Sequence, residues 1–254
     1  MRYGGNTACV ELRTRDSLFI FDCGTGFRVL GNALDREFGR RPIRAHVFLS
    51  HYHWDHIQGI PFFAPLYSRK NDFVFHCFRS IDTGVQQALE EQMTNPYFPV
   101  DMTSMLAHRS FREIGEERLA CDGLTITTRR LHHPQGCLGF RVEHEGIAVV
   151  YATDTEPGDA RGDQNVRALT QDADVLIYDS QYTPREYRAA KRTWGHSTWR
   201  EGVRIASEAH VKKLVLFHHD PDHDDKEIDA ILRQAREIFP ATVAAREGLT
   251  LHLR

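Results

Sequence analysis

Short apolar runs alternate with polar punctuation along the whole chain. Residues 8–12 alternate as a strand covered on one face, and Leu18–Phe21 is continuously apolar, as in a strand covered on both. The glycines of Asp22-Cys23-Gly24-Thr25-Gly26 mark a sharp turn. Residues 27–38 then predict a helix with Val29, Leu30, Leu34 and Phe38 on one stripe, and residues 45–50 a strand. Next come a strand over residues 72–78, a helix over 83–93 and an aromatic, proline-punctuated loop over 95–100. Residues 124–131, 139–143, 147–152, 175–178 and 214–217 read as strands, with a last one over 249–253. Helices are predicted over 197–209, capped by Ser197 or Thr198, and over 225–238. Strand runs separated by helices predict layers of sheet and helix, and the absence of repeats or linkers predicts one domain over residues 1–254. The strands share an ending: Asp22, His51, Asp154, Asp179 and His218 each follow an apolar run, so chemistry is expected at one rim.

The densest polar ending is Ser50-His51-Tyr52-His53-Trp54-Asp55-His56, with three imidazoles and a carboxylate within six residues. These donors suit borderline and hard divalent ions such as Zn²⁺ or Mn²⁺. His51 and His53, two apart in extended chain, can point the same way, while Asp55 and His56 can turn toward a second ion. Two ions need about four to five ligands each, so further His and Asp must come from distant segments.

Composition narrows the class. The 254 residues are 41% hydrophobic and 26% charged, as in an ordinary globular protein, and the net charge of −3 gives no global case for wrapping a long polyanion. No apolar run approaches the roughly 20 residues that span a bilayer, and the amino terminus lacks signal-peptide form, so no membrane partner and a cytoplasmic location are expected. Five cysteines without a C-x-x-C pair fit reduced thiols, and Cys137, the one near a suspected ligand, is expected in the core.

Assembled in order, these motifs resemble the metallo-β-lactamase-fold hydrolases, nearest to the branch of ribonuclease Z and the phosphoribosyl cyclic phosphate phosphodiesterases. The resemblance spans nearly the whole chain. It rests on Asp22-Cys23-Gly24-Thr25-Gly26, the His51 to His56 motif, His133-Pro134 with Gly139-Phe140, Thr153-Asp154, Asp179, Gly195-His196-Ser197-Thr198, and His218 after its strand. It implies an α/β fold of the αββα sandwich type, two mixed sheets flanked by helices, holding two divalent metal ions. By position, His51, His53 and His133 would take one ion, Asp55, His56 and His218 the other, and Asp154 would bridge. Two tandem choices are open: the place before the proline favours His133 over His132, and the place after the strand favours His218 over His219. Asp55 also counts among the catalytic residues.

The same resemblance implies that Asp179 orients His196, which would protonate the departing oxygen or steady the phosphate. Asp22 is expected to fix the Gly24 to Gly26 turn. The activity implied is phosphodiester hydrolysis by a metal-bridging hydroxide, on a cyclic nucleotide, a cyclic ribose phosphate or short RNA. Hydrolysis of a carboxylic ester, thioester, lactone or β-lactam on the same scaffold is the alternative, and a non-catalytic nucleotide-binding module the third reading. No segment resembles the Gly/Pro-marked arm by which ribonuclease Z proteins hold tRNA. Phe62, Phe63, Tyr67, Tyr97 and Phe98 offer rings for stacking or for core packing, and Arg129, Arg130 and Arg141 read as solvated faces. Relatives with a Gly-Gly-Asn-Thr element carry a strand before it, so an uncovered sheet edge and a homodimer are allowed for.

Overall fold

The apolar runs become the central strands of two mixed sheets. The computed structural model describes residues 2–79 and 84–253. Contacts divide the chain into two compact units, Asn6–Ile114 on the one hand and Gly115–Arg254 with Met1–Gly5 on the other.

The first unit runs β1 (Val10–Arg13), β2 (Leu18–Phe21), α1 (Thr25–Phe38), β3 (Arg44–Leu49), α2 (Trp54–Ile57), β4 (Asp72–Phe78), α3 (Val85–Glu91) and β5 (His108–Ile114). Its sheet is ordered β1-β2-β3-β4-β5, with β1 antiparallel to β2 and the other neighbours parallel. Parallel pairing puts strand ends together. Phe21 lies opposite Phe48, and the ladder extends by one bond from Asp22 N to Phe48 O at 2.9 Å, so Asp22 and Ser50 leave the sheet side by side. The core gathers Ile20, Phe27, Leu34, Val47, Phe63 and Phe75, all fully buried. Helix α1 buries Phe27, Gly31 and Leu34, whereas Val29, expected on that stripe, is 40% exposed. Its neighbour Phe27 takes the core position by stacking on Phe63.

The second unit runs β6 (Arg118–Cys121), β7 (Leu124–Leu131), β8 (Cys137–His144), β9 (Ile147–Ala152), α4 (Ala160–Thr170), β10 (Val175–Asp179), α5 (Pro184–Glu186) with a π-helical turn over Tyr187–Lys191, α6 (Trp199–Glu208), β11 (Lys213–Phe217), α7 (Asp225–Ile238) and β12 (Thr242–Ala244). The sheet order is β12-β11-β10-β9-β8-β7-β6, parallel from β12 to β9 and antiparallel from β9 to β6. Asp179 pairs with Phe217, so Asp154, Asp179 and His218 all emerge at the carboxyl ends of β9, β10 and β11. That edge is where open α/β sheets place ligands.

Several elements differ from expectation. Residues 249–253 alternate in polarity yet form no ladder, because the place beside β11 is filled by β12. Strands β5, β6 and β12 and helix α4 carry too few apolar residues to announce themselves; α4 buries only Gly162, Val166, Leu169 and Thr170. The helix expected from residue 83 is observed as α3, and Thr83 itself lies outside the described residues.

Candidate metal centre

In the first unit the chemistry is organised around Asp22. This residue adopts φ 60°, a left-handed conformation that costs about 1–3 kcal/mol in a residue with a side chain and is held only where surrounding structure demands it. Its buried carboxylate accepts from Ser50 N, Ser50 Oγ and His56 Nδ1, each at 2.8 Å. Because Ser50 Oγ donates to Asp22, its lone pair faces His51 Nδ1 at 3.0 Å, so His51 carries its proton on Nδ1. His56 does the same toward Asp22. Both rings therefore keep Nε2 basic, as a metal ligand requires.

Local backbone explains the spread of the motif. The chain stays extended through His53 and turns helical at Trp54, which separates His51 and His53 from Asp55 and His56. The His51 ring lies 4.5 Å from that of His53 and 4.3 Å from that of His56, and His56 Nε2 is 3.3 Å from Asp55 Oδ2. Backbone groups hold the preceding turn, with Cys23 N donating to His56 O and Gly59 N to Cys23 O. Beyond the turn-fixing role expected of it, Asp22 orients His56 and, through Ser50, His51. Sequence alone hid this because the partners lie 28 and 34 residues away.

In the second unit the donors converge on Asp154, which also has a left-handed φ, 56°, as does His218 at 59°. Its two oxygens face different rings: Oδ2 lies 3.6 Å from His133 Nε2 and Oδ1 3.5 Å from His218 Nε2. These separations exceed hydrogen-bond length, yet two ligand bonds of about 2.1 Å meeting at one ion span each of them. His133 Nδ1 donates to Gly195 O at 2.8 Å, which again leaves Nε2 as the donor to a cation. The tandem pairs separate cleanly. His132 Nδ1 turns to Glu156 O and His219 Nε2 to Ala245 O, while His133 and His218 face Asp154. Burial lowers the His219 pKa to about 4, so that ring stays neutral.

His196 sits beside this group. Its ring stacks on His218 at 5.0 Å and 16° and stands edge-on to His133 at 5.1 Å. Asp179, fully buried, accepts from His196 Nδ1 at 3.0 Å and from Thr155 N and Gln181 N at 3.2 Å each. The carboxylate thus holds the Nδ1 proton and leaves Nε2 as the ring nitrogen turned away from Asp179. The following residues lock the loop: Ser197 Oγ is 3.1 Å from Tyr178 Oη, and Thr198 caps α6 by accepting from Glu201 N.

Other residues singled out from sequence have separate tasks. Phe63 is core, whereas Phe62 and Tyr97 are 55% and 82% exposed, and Phe62 packs edge-on against Phe98. Tyr67 Oη donates to Pro61 O. Arg141 is spent on Glu143 and the carbonyls of Leu169 and Gln171. Cys137 is buried against Thr153 O. Glu156, two residues past Asp154, belongs to none of the sequence motifs but is a buried hydrogen-bonding hub.

Comparison with known proteins agrees with this picture. A family model described as a β-lactamase superfamily domain matches residues 18–219. Ribonuclease Z of Treponema denticola is 27% identical over 96% of this chain and 91% of its own length. Ribonuclease BN of Escherichia coli is 26% identical over 92% of this chain and 88% of its own. Among solved structures, the metallo-β-lactamase fold protein YhfI from Bacillus subtilis superimposes with a TM-score of 0.70 at 22% identity, covering 98% of this chain and 94% of that one. The α/β class with two mixed sheets is the fold shared with that structure.

Proposed function

Because the chain belongs to the β-lactamase superfamily, we propose that it is a dinuclear metal-dependent phosphodiesterase acting as one domain. Relatives named as ribonucleases support the phosphodiester class, and a cyclic nucleotide, a cyclic ribose phosphate or a short RNA end is the substrate. The assignment gives His51, His53 and His133 to one ion, Asp55, His56 and His218 to the other, and Asp154 to both. The donor chemistry supports it, since His51, His56 and His133 each have Nδ1 engaged by a protein group. Zn²⁺ is the first choice and Mn²⁺ the second, as imidazole and carboxylate donors suit both. When bound, two such ions supply an acidified water and neutralise charge on both the entering and leaving oxygens.

The observation that carries the reading is His196 held by Asp179 beside the rings of His133 and His218. A simple metal-binding or ester-cleaving site does not call for it. In a phosphodiesterase, His196 Nε2 donates to the departing oxygen, and Asp179 keeps the ring aimed while it does so. No helix among the described residues is long and apolar enough to cross a membrane, and a cytoplasmic enzyme is part of the proposal.

Hydrolysis of bis(p-nitrophenyl) phosphate and of 2′,3′-cyclic, 3′,5′-cyclic and ribose 1,2-cyclic phosphates, with Zn²⁺ or Mn²⁺, tests it. Turnover is expected. Inertness toward all of them, in a protein shown to hold two ions, sinks the proposal. Ester or lactone hydrolysis that survives His196→Ala selects the carboxylic ester alternative.

A further inference from the structure

Glu156 is 5% exposed, and a buried carboxylate is expensive unless its oxygens are met by donors. They are met here. Oε1 accepts from Thr193 N at 2.7 Å and Tyr187 Oη at 2.9 Å, and Oε2 accepts from Gly195 N at 2.8 Å. All three donors belong to the segment between α5 and α6 that delivers His196. The Glu156 backbone is tied to the loop of His133: its N–H donates to His132 O at 2.8 Å, and its carbonyl faces His132 Nδ1 at 3.0 Å.

Gly195 is where these links meet. Its N–H is held by Glu156 and its carbonyl by His133 Nδ1. It has φ +86°, and a Cβ there would lie 2.4 Å from His133 Nδ1, so the close approach of this peptide to the ring admits only glycine. Displacing Gly195 by about an ångström would break the contact that decides which His133 nitrogen carries the proton. It would also shift His196, the next residue.

We infer that Glu156 is a positioning residue for both histidines: it fixes His133 in the Nδ1–H form through Gly195 O, and it sets the loop that presents His196. The activity arm of the test rests on the phosphodiesterase reading; the spectroscopic arm does not.

The substitutions are Glu156→Gln, Glu156→Ala and Tyr187→Phe. Glutamine keeps the volume but turns an amide NH₂ toward Thr193 N–H or Gly195 N–H, so one backbone donor loses its acceptor. In metal-free protein, ¹⁵N–¹H spectra of the His133 ring should show one Nδ1–H tautomer for wild type and Tyr187→Phe, and a mixture for Glu156→Gln and Glu156→Ala. In the metal-loaded protein, kcat for a ribose 2′,3′-cyclic phosphate should fall by about 10–100-fold in Glu156→Gln, with KM little changed. If Glu156→Ala does not fold, Glu156→Gln carries the test alone. An unchanged His133 tautomer in folded Glu156→Gln overturns the inference, as does a fall in activity that only tracks the unfolded fraction. A wild type that hydrolyses no phosphodiester counts against the proposed function and leaves the tautomer measurement decisive here.

Discussion

Asp22 Oδ2 accepts the Nδ1 proton of His56 at 2.8 Å, and both side chains are wholly buried. The same carboxylate reaches His51 through Ser50, so one residue at the end of β2 sets the direction of two rings that follow β3. Asp22→Asn should therefore lower divalent metal affinity by about 10–100-fold, as measured by titration calorimetry. It should also destabilise the metal-free fold by about 1–3 kcal/mol in a denaturant titration, because a buried partner is left unsatisfied. Unchanged metal affinity would reduce Asp22 to a purely structural residue.

The role given to His196 has a leaving-group signature. If Nε2 protonates the departing oxygen, His196→Ala should cost about 10²–10⁴-fold on an alkoxide or ribose leaving group and much less on p-nitrophenolate, which needs no proton. Asp179→Asn should follow the same pattern with a smaller loss. Equal losses on both substrates would point to phosphate binding rather than proton transfer.

Metal should couple to stability through Asp154 and its two partners. Ions that bind only the folded chain raise its stability by about 2.7 kcal/mol at 100 times their Kd. Thermal unfolding with and without chelator is expected to show a midpoint that climbs with Zn²⁺ concentration. His218→Ala should flatten that climb, since His218 Nε2 faces Asp154.

Acid should weaken the first unit through His76. Burial, then the fields of His46 and Arg112, lowers its pKa from 6.5 to about 4, so the folded ring stays neutral where the unfolded one takes up a proton. The unfolded state binds more protons between those values, and stability falls as pH drops from about 6.5 toward 4. His76→Phe, which preserves the stack on Phe48, should make that acid limb shallower in metal-free protein. An identical limb would place the loss elsewhere.

The motif turn tolerates no added carbon. A Cβ on Gly59 would lie 1.9 Å from Gly24 O, and one on Gly24 would lie 2.2 Å from Asp55 O. Both obstacles are backbone, so Gly59→Ala should destabilise by about 1–3 kcal/mol or more in chemical denaturation. A neutral substitution would mean the turn is looser than drawn.

Much of this was legible without tertiary structure. Buried strands such as Leu18–Phe21 and Ile147–Ala152 are continuous apolar runs, and α7 is bounded by its own amphipathic stripe, so local pattern set their limits. The residues placed around Asp154 and Asp179 were named from motifs. Strand β12 and helix α4 were not legible, because three residues at a sheet edge and a mostly polar helix bury too little to leave a pattern. By itself the sequence determined the donor types, their order and the strand ends that carry them, since these depend on residue identity and short-range periodicity. Tertiary structure alone decided which nitrogen of each ring faces outward, that Asp22 serves His56, and that Glu156 gathers the His196 loop. Those outcomes rest on hydrogen bonds between residues tens of positions apart, which the folded backbone brings within 3 Å and no local pattern encodes.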